Sequence, residues 1–177
     1  TRIGNTMKVF PPIREHAHRT RLLAAIRDGT LQAIGSDHAP HTAVEKEGDL
    51  WSALAGAATV QWVVPVMLDL VSRGVLTPNR LAALMSANPA RVAGLYGAKG
   101  TIEPGADADL TLVDFERSLV VRDATAYSKS DANPYADLTT RGAPVASFLR
   151  GRQIMADGRP LGEPSDLLEH RTVDRRV

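Results

Sequence analysis

Asp37, His38 and His41 form the densest cluster of potentially reactive side chains in the sequence, within Ser36-Asp37-His38-Ala39-Pro40-His41. A carboxylate in such a place can bind a divalent metal or move a proton, and an imidazole can ligate metal or hold a substrate. Read on spacing alone, the same residues serve equally well as a polar loop whose aspartate caps the next turn. One Asp and two His do not make a zinc site. His16-Ala17-His18 also looks like a metal pair. In a helix, however, residues two apart point in different directions, so these read as a solvated surface. Glu45-Lys46-Glu47 reads as a wet loop, and Asp107 and Asp109 as turn and edge residues beside a strand. Trp51 and Trp62 are too isolated to form a stacking platform and read as packing or interface residues.

The elements that must position these groups follow from periodicity. Met7 to Phe10 is a short apolar run stopped by Pro11-Pro12, since proline cannot continue a ladder. Arg14 to Arg27 is helix-like, with Leu22, Leu23 and Ile26 on one face and Gly29 placed to end it. Leu31 to Gly35 is a short apolar strand that leads directly into Ser36-Asp37. Strand, helix and strand in that order predict a βαβ unit, which puts Asp37 just beyond a strand end, where α/β folds gather ligand-binding groups. Val63, Val66, Met67, Leu70 and Val71 recur at helical spacing before Gly74, with Pro65 marking a start or a kink. Thr77-Pro78 and Asn88-Pro89 each read as a cap followed by proline at the first helical position. From Gly97 the period changes. Asp109 to Phe115, Val145 to Leu149 and Gln153 to Ala156 read as strands, with Gly151-Arg152 turning the last pair.

Composition excludes whole classes of function. The chain has 177 residues, 44% hydrophobic, with 21 basic against 20 acidic side chains. A net charge of +1 leaves no broad basic footprint for nucleic acid and no polybasic membrane arm. No apolar run approaches the ~20 residues that span a bilayer. With no cysteine, disulfides, thiol nucleophiles and thiolate zinc sites are all removed, and a cytoplasmic location fits. A compact chain of this length buries roughly 70% of its unfolded surface, so a real core is expected. Thr1-Arg2-Ile3-Gly4 lacks an initiator Met and a signal pattern, and reads like the middle of a longer chain.

Gly35-Ser36-Asp37-His38-Ala39-Pro40-His41-Thr42, followed by Glu45-Lys46, resembles the cyclic amidohydrolases: dihydroorotase, allantoinase and hydantoinase/dihydropyrimidinase. Lys8 to Arg14 (KVFPPIR) is similar to the loop after the family's penultimate barrel strand, and Ser86 to Tyr96 (SANPARVAGLY) to its late helical segment. Lys99 to Asp114 and Pro144 to Gly151 are similar to its small β domain. These five segments stand in the family's order, and the resemblance reaches to about residue 160.

The resemblance implies the C-terminal part of a TIM-like (β/α) barrel of the metal-dependent hydrolase type plus a small β-sandwich-like domain. The expected division is 1–96 for the barrel part, 97–160 for the β domain and 161–177 for a polar tail. It implies zinc or another divalent metal, one or two ions in the full-length protein, with water attacking the carbonyl of a small cyclic amide. Asp37 matches the aspartate that binds metal and moves the proton to the leaving nitrogen. His41 matches the histidine that holds the substrate carboxylate in dihydroorotases. Gly56 survives from a Pro-Asn-Gly-type hydantoinase loop, Leu54-Ala55 replacing the rest, and is assigned with His41 to substrate binding. Tyr127-Ser128-Lys129 to Asn133-Pro134 resembles allantoinase and hydantoinase tails as much as dihydroorotase. The family's other metal ligands, a His-x-His pair, a carboxylated lysine and two later histidines, have no counterpart here, and a complete barrel needs ~250 residues. Dihydroorotase is the first reading, allantoinase or hydantoinase the second, and a non-catalytic scaffold homologue the rival of another class. A homo-oligomer is expected for the full-length protein.

Overall fold

The computed structural model describes residues 4–122, 126–128 and 130–162. Helices occupy the first half of the chain and an antiparallel sheet the second. Helix α1, His16–Asp28, ends at Gly29 with φ +96°, a left-handed conformation that glycine enters without a Cβ clash. Helix α2, Val60–Ser72, begins well before Pro65. The helix therefore starts five residues before the expected proline, and Pro65 lies in its second turn, where the missing N–H removes one i→i−4 hydrogen bond. Helix α3, Pro78–Ala82, is capped by Thr77, whose Oγ1 accepts from the Arg80 N–H at 3.2 Å.

Asn88-Pro89 does not open a separate helix. The chain passes from α3 through a π-helical turn, Ala83–Ala87, into α4, Asn88–Val92, and Asn88 itself has helical angles. Its side chain is instead committed to the preceding extended segment, donating to the Gln32 carbonyl at 2.8 Å. The core joins these helices. Ile26, Met67, Leu76 and Leu84 are buried together, with Leu23, Ile34, Val63 and Leu81 packed around them. Each fully buried side chain of this size stabilises by roughly 1.5–3 kcal/mol.

Two expected strands are absent among the described residues. Met7 to Phe10 follows a 3-10 turn, Gly4–Met7, and Leu31 to Gly35 runs outside any ladder. The expected βαβ unit is therefore not formed as a parallel sheet. A strand exists only through its neighbours, and among the described residues parallel pairing is limited to two isolated bridges, His38 to Ala57 and Tyr96 to Lys99.

The sheet comprises β1, Leu110–Val120; β2, Thr139–Leu149; β3, Arg152–Ala156; and β4, Arg159–Pro160, antiparallel in sequence order. It is a single sheet among the described residues rather than the expected sandwich, and α2 covers one side. Strands β1 and β2 run longer than expected, β2 because its glycine and proline are accommodated within the ladder and β1 because it pairs with β2 again from Ser118 to Val120, past an irregularity after Asp114. Pro144 sits beside a register shift opposite Val113. Gly142 makes room for α2: a Cβ there would come within 2.7 Å of the Leu68 Cβ. Ser72 on α2 also donates to the Phe115 carbonyl at 3.0 Å, and Asp69 accepts from the Arg141 N–H at 3.0 Å. The hairpins turn at Arg150-Gly151 and Asp157-Gly158, all four with positive φ, as two-residue hairpin turns require. Most of the expected polar tail, 163–177, lies outside the described residues.

Candidate active site around Asp37

The extended segment before Asp37 is held by the α3–α4 helix run. Arg80 donates through Nη2 to the Leu31 carbonyl at 2.5 Å and through Nε to the Ile26 carbonyl at 2.6 Å. Asn88 holds Gln32, and the Leu84 carbonyl, within the π-helical turn, accepts from the Ile34 N–H at 3.1 Å. A π turn shifts the helical pairing by one residue, and here a carbonyl of that turn serves the neighbouring segment.

Asp37 itself has φ +47°, a left-handed conformation that aspartate tolerates better than most residues. Its flanks are tied to the start of α2. Thr59 donates through Oγ1 to the Ser36 carbonyl at 2.7 Å, and the Ala39 N–H donates to the Ala57 carbonyl at 3.1 Å. His38 Nδ1 accepts from the N–H groups of both Thr59 and Val60, at 3.0 and 3.2 Å. Between these ties the Asp37 residue is exposed, and among the described residues its carboxylate has no hydrogen-bond or ion-pair partner. A carboxylate on a tightly specified backbone, with both oxygens unspent, is prepared to bind something outside itself.

His41 lies on the same loop, half-buried, its Nδ1 3.7 Å from Glu45 Oε2. Ser130 donates to the His41 carbonyl at 2.5 Å and Asp131 accepts from the Ala43 N–H at 2.5 Å, docking the loop on the segment before β2. Glu45 accepts from the Thr42 N–H at 2.8 Å and from its hydroxyl at 3.1 Å. The Thr42 N–H first, then its hydroxyl, holds the exposed Glu45 carboxyl below its ordinary value.

Gly56 is buried under this loop with φ +148°. A Cβ there would stand 2.3 Å from the Ala39 carbonyl oxygen and 3.0 Å from the His41 ring. The structure thus brings Gly56 and His41 together through close backbone approach, while Asp37 lies four residues away on the loop. His16 and His18 are exposed on α1, as their spacing suggested.

Lys46 overturns the reading of Glu45-Lys46-Glu47 as a wet loop. The two glutamates are exposed, but Lys46 is only 4% exposed. Its ammonium donates to the carbonyls of Asn5 at 3.2 Å, Lys8 at 3.3 Å and Leu54 at 3.3 Å. Burial, then the nearby Lys8 charge, pushes the Lys46 pKa down. Three carbonyl dipoles replace a carboxylate partner, so Lys46 staples together the stretches around the Asp37 loop. Charge alone could not reveal it, because the three acceptors are backbone atoms. Thr59 was also missed, although a threonine just before a helical apolar run is a recognisable cap signal.

A zinc site takes three or four protein ligands. Among the described residues no group of three or more His, Cys, Asp or Glu is so placed. The free Asp37 carboxylate fits one position of a metal's shell and supplies no complete site.

Residues 7–154 match the amidohydrolase family. The chain belongs to that family. A dihydroorotase from Pelotomaculum thermopropionicum is 40% identical over 151 residues, which are 85% of this chain and 35% of that protein. An L-hydantoinase from Paenarthrobacter aurescens is 35% identical over 166 residues, 92% of this chain and 36% of that protein. Among solved structures, the L-hydantoinase (dihydropyrimidinase) from Arthrobacter aurescens superposes with a TM-score of 0.87 at 35% identity, covering 92% of this chain and 37% of its own. A D-hydantoinase superposes with a TM-score of 0.86 at 28% identity. The chain thus spans little more than a third of the length of these relatives. Amidohydrolases are metal-dependent, generally through zinc, and their fold is a TIM barrel. No helix among the described residues is long and apolar enough to cross a membrane.

Proposed function

We propose that this chain is the part of a cyclic amidohydrolase that carries the proton-transferring aspartate, and that the whole protein opens a small cyclic amide in the manner of a dihydroorotase. The observation that carries the reading is the Asp37 carboxylate, exposed and, among the described residues, unpartnered on a left-handed backbone whose two flanks are tied to the start of α2. Residues 1–96 are assigned to the barrel and 97–160 to the appended β domain.

A divalent metal, when bound, supplies a Lewis acid that makes water nucleophilic at neutral pH. Asp37 is the residue of this chain that would hold that metal, and its carboxylate is the group that carries the proton. It takes the proton from the attacking water and delivers it to the ring nitrogen as the C–N bond breaks. General acid–base help of this kind is worth roughly 10²–10⁴-fold. The half-buried His41 is assigned to hold a substrate carboxylate, a role supported by the space that Gly56 leaves for its ring.

A hydantoinase reading stands second. It is supported by the Glu45 carboxylate 3.7 Å from His41 Nδ1, which competes with an anionic substrate for that imidazole. The test is hydrolysis of dihydroorotate, allantoin, hydantoin and dihydrouracil by the whole protein. Dihydroorotate is expected to turn over best. Preference for hydantoin or dihydrouracil favours the second reading, and hydrolysis of none contradicts both.

A further inference from the structure

We propose that His38 is a positioning residue for Asp37, acting as a cap supplied from outside helix α2 through an unprotonated Nδ1. The inference rests on the reading of Asp37 as the proton carrier. A helix begins with backbone N–H groups that have no partner within the helix, and a side-chain oxygen of the residue before it commonly accepts from them. In α2 the preceding residue is Thr59, whose hydroxyl is turned to the Ser36 carbonyl, donating at 2.7 Å, and makes no cap hydrogen bond to the helix. The N–H groups of Thr59 and Val60 go instead to His38 Nδ1, at 3.0 and 3.2 Å. Backbone N–H groups only donate, so the ring nitrogen facing them carries no proton and the neutral ring's hydrogen sits on Nε2.

The consequence falls on the neighbouring residue. Asp37 is held at φ +47° by a carbonyl tie on one side, at Ser36, and by the His38 ring and the Ala39 N–H on the other. All these ties end within Ala57 to Val60, so the carboxylate is referenced to the rigid start of α2 rather than to a free loop. Without the ring acceptor, Asp37 keeps its chemistry and loses its aim. Misplacement by about 1 Å can cost on the order of 10²-fold in rate.

Asparagine and glutamine at position 38 separate this role from space filling. The Asn Oδ1 falls near the place of Nδ1, whereas Gln is closer to histidine in size but carries its oxygen further out. In the whole protein, nitrogen NMR of His38 is expected to show a bare Nδ1 and a protonated Nε2. Amide exchange at Thr59 and Val60 is expected to be slow, to quicken in His38→Gln and to be restored in His38→Asn. In the whole protein, His38→Gln is expected to lower kcat by about 10²-fold with KM within about twofold, and His38→Asn to stay within about threefold of the natural enzyme. Equal losses in both variants, or a protonated Nδ1, overturn the proposal. Should His38→Gln fail to fold, a folded and active His38→Asn supports the cap, and an inactive one overturns it. An inactive Asp37→Asn beside a fully active His38→Gln overturns the positioning role alone. A fully active Asp37→Asn overturns the functional reading, and the positioning role falls with it.

Discussion

At the scale of the residue, the candidate site separates exposed polar groups from buried ones that hold the chain in place. Asp37 is exposed and without a partner among the described residues, whereas Lys46, a few residues along the same loop, is buried with its ammonium on three carbonyls. His41 lies between these extremes, half-buried beside Glu45. A charge-assisted hydrogen bond from an imidazole to a substrate carboxylate is worth roughly 1.5–3 kcal/mol, or about tenfold to a hundredfold in binding. His41→Ala in the whole protein is therefore expected to impair dihydroorotate by that factor and to leave a neutral hydantoin nearly untouched. Steady-state kinetics on the two substrates checks it. Equal damage to both assigns His41 to the loop's structure, where Ser130 already holds its carbonyl.

At the scale of the element, ionic ties set how the sheet responds to pH. Lys99 bridges Asp107, at 2.9 Å, and Asp109, whose other oxygen accepts from the Arg150 N–H at 2.8 Å. Partial burial works to raise the Asp109 pKa, but Lys99 and the Arg150 N–H together hold it below the ordinary 3.8. Its stabilisation is present above that value and lost as pH falls through the folded pKa. Lys99 is raised above 10.5, by Asp109 first and then Asp107, so its contribution is complete below 10.5 and lost at still higher pH. Lys46 runs the opposite way: its pKa is lowered from 10.5, so the penalty on its buried charge is relieved as pH rises towards that value. Denaturant midpoints measured against pH are expected to fall in acid, and Asp109→Asn to shrink that fall while lowering the midpoint near neutrality. An unchanged acid limb would show that Asp28, Asp49 and Glu45, all also held low, carry it without Asp109. Local signals such as Gly29, Thr77 and the apolar period of α2 were legible in the sequence because their partners lie within a turn or two. The extended segment before Asp37, the π turn beneath it and the buried Lys46 were not, because each depends on backbone atoms far away in the chain. Residue type and clustering singled out Asp37 and His41, whereas their roles, and Gly56 altogether, came from the resemblance.

At the scale of the whole molecule, α2 joins the two halves. Its start clamps the Asp37 loop, one face packs Met67 into the helical core, and another lays Leu68 against Gly142 of β2. Elsewhere the surface is unusually apolar. Phe10, Ile13, Leu50 and Trp51, the last 90% exposed, surround a groove of about 580 Å³, and exposed patches of this kind promote association. Purified alone, the 177-residue chain is expected to self-associate and to hold no stoichiometric zinc, because a single carboxylate is a weak zinc site. Sedimentation and metal analysis check both expectations, and a monomer carrying about one zinc per chain contradicts the need for further ligands. The central claim is that Asp37 moves the proton. Turnover of dihydroorotate by the whole protein carrying Asp37→Asn, against the unaltered protein at matched folding, measures it most directly. A loss of at least ~10²–10⁴-fold is predicted, whereas turnover close to that of the unaltered protein would contradict the assignment.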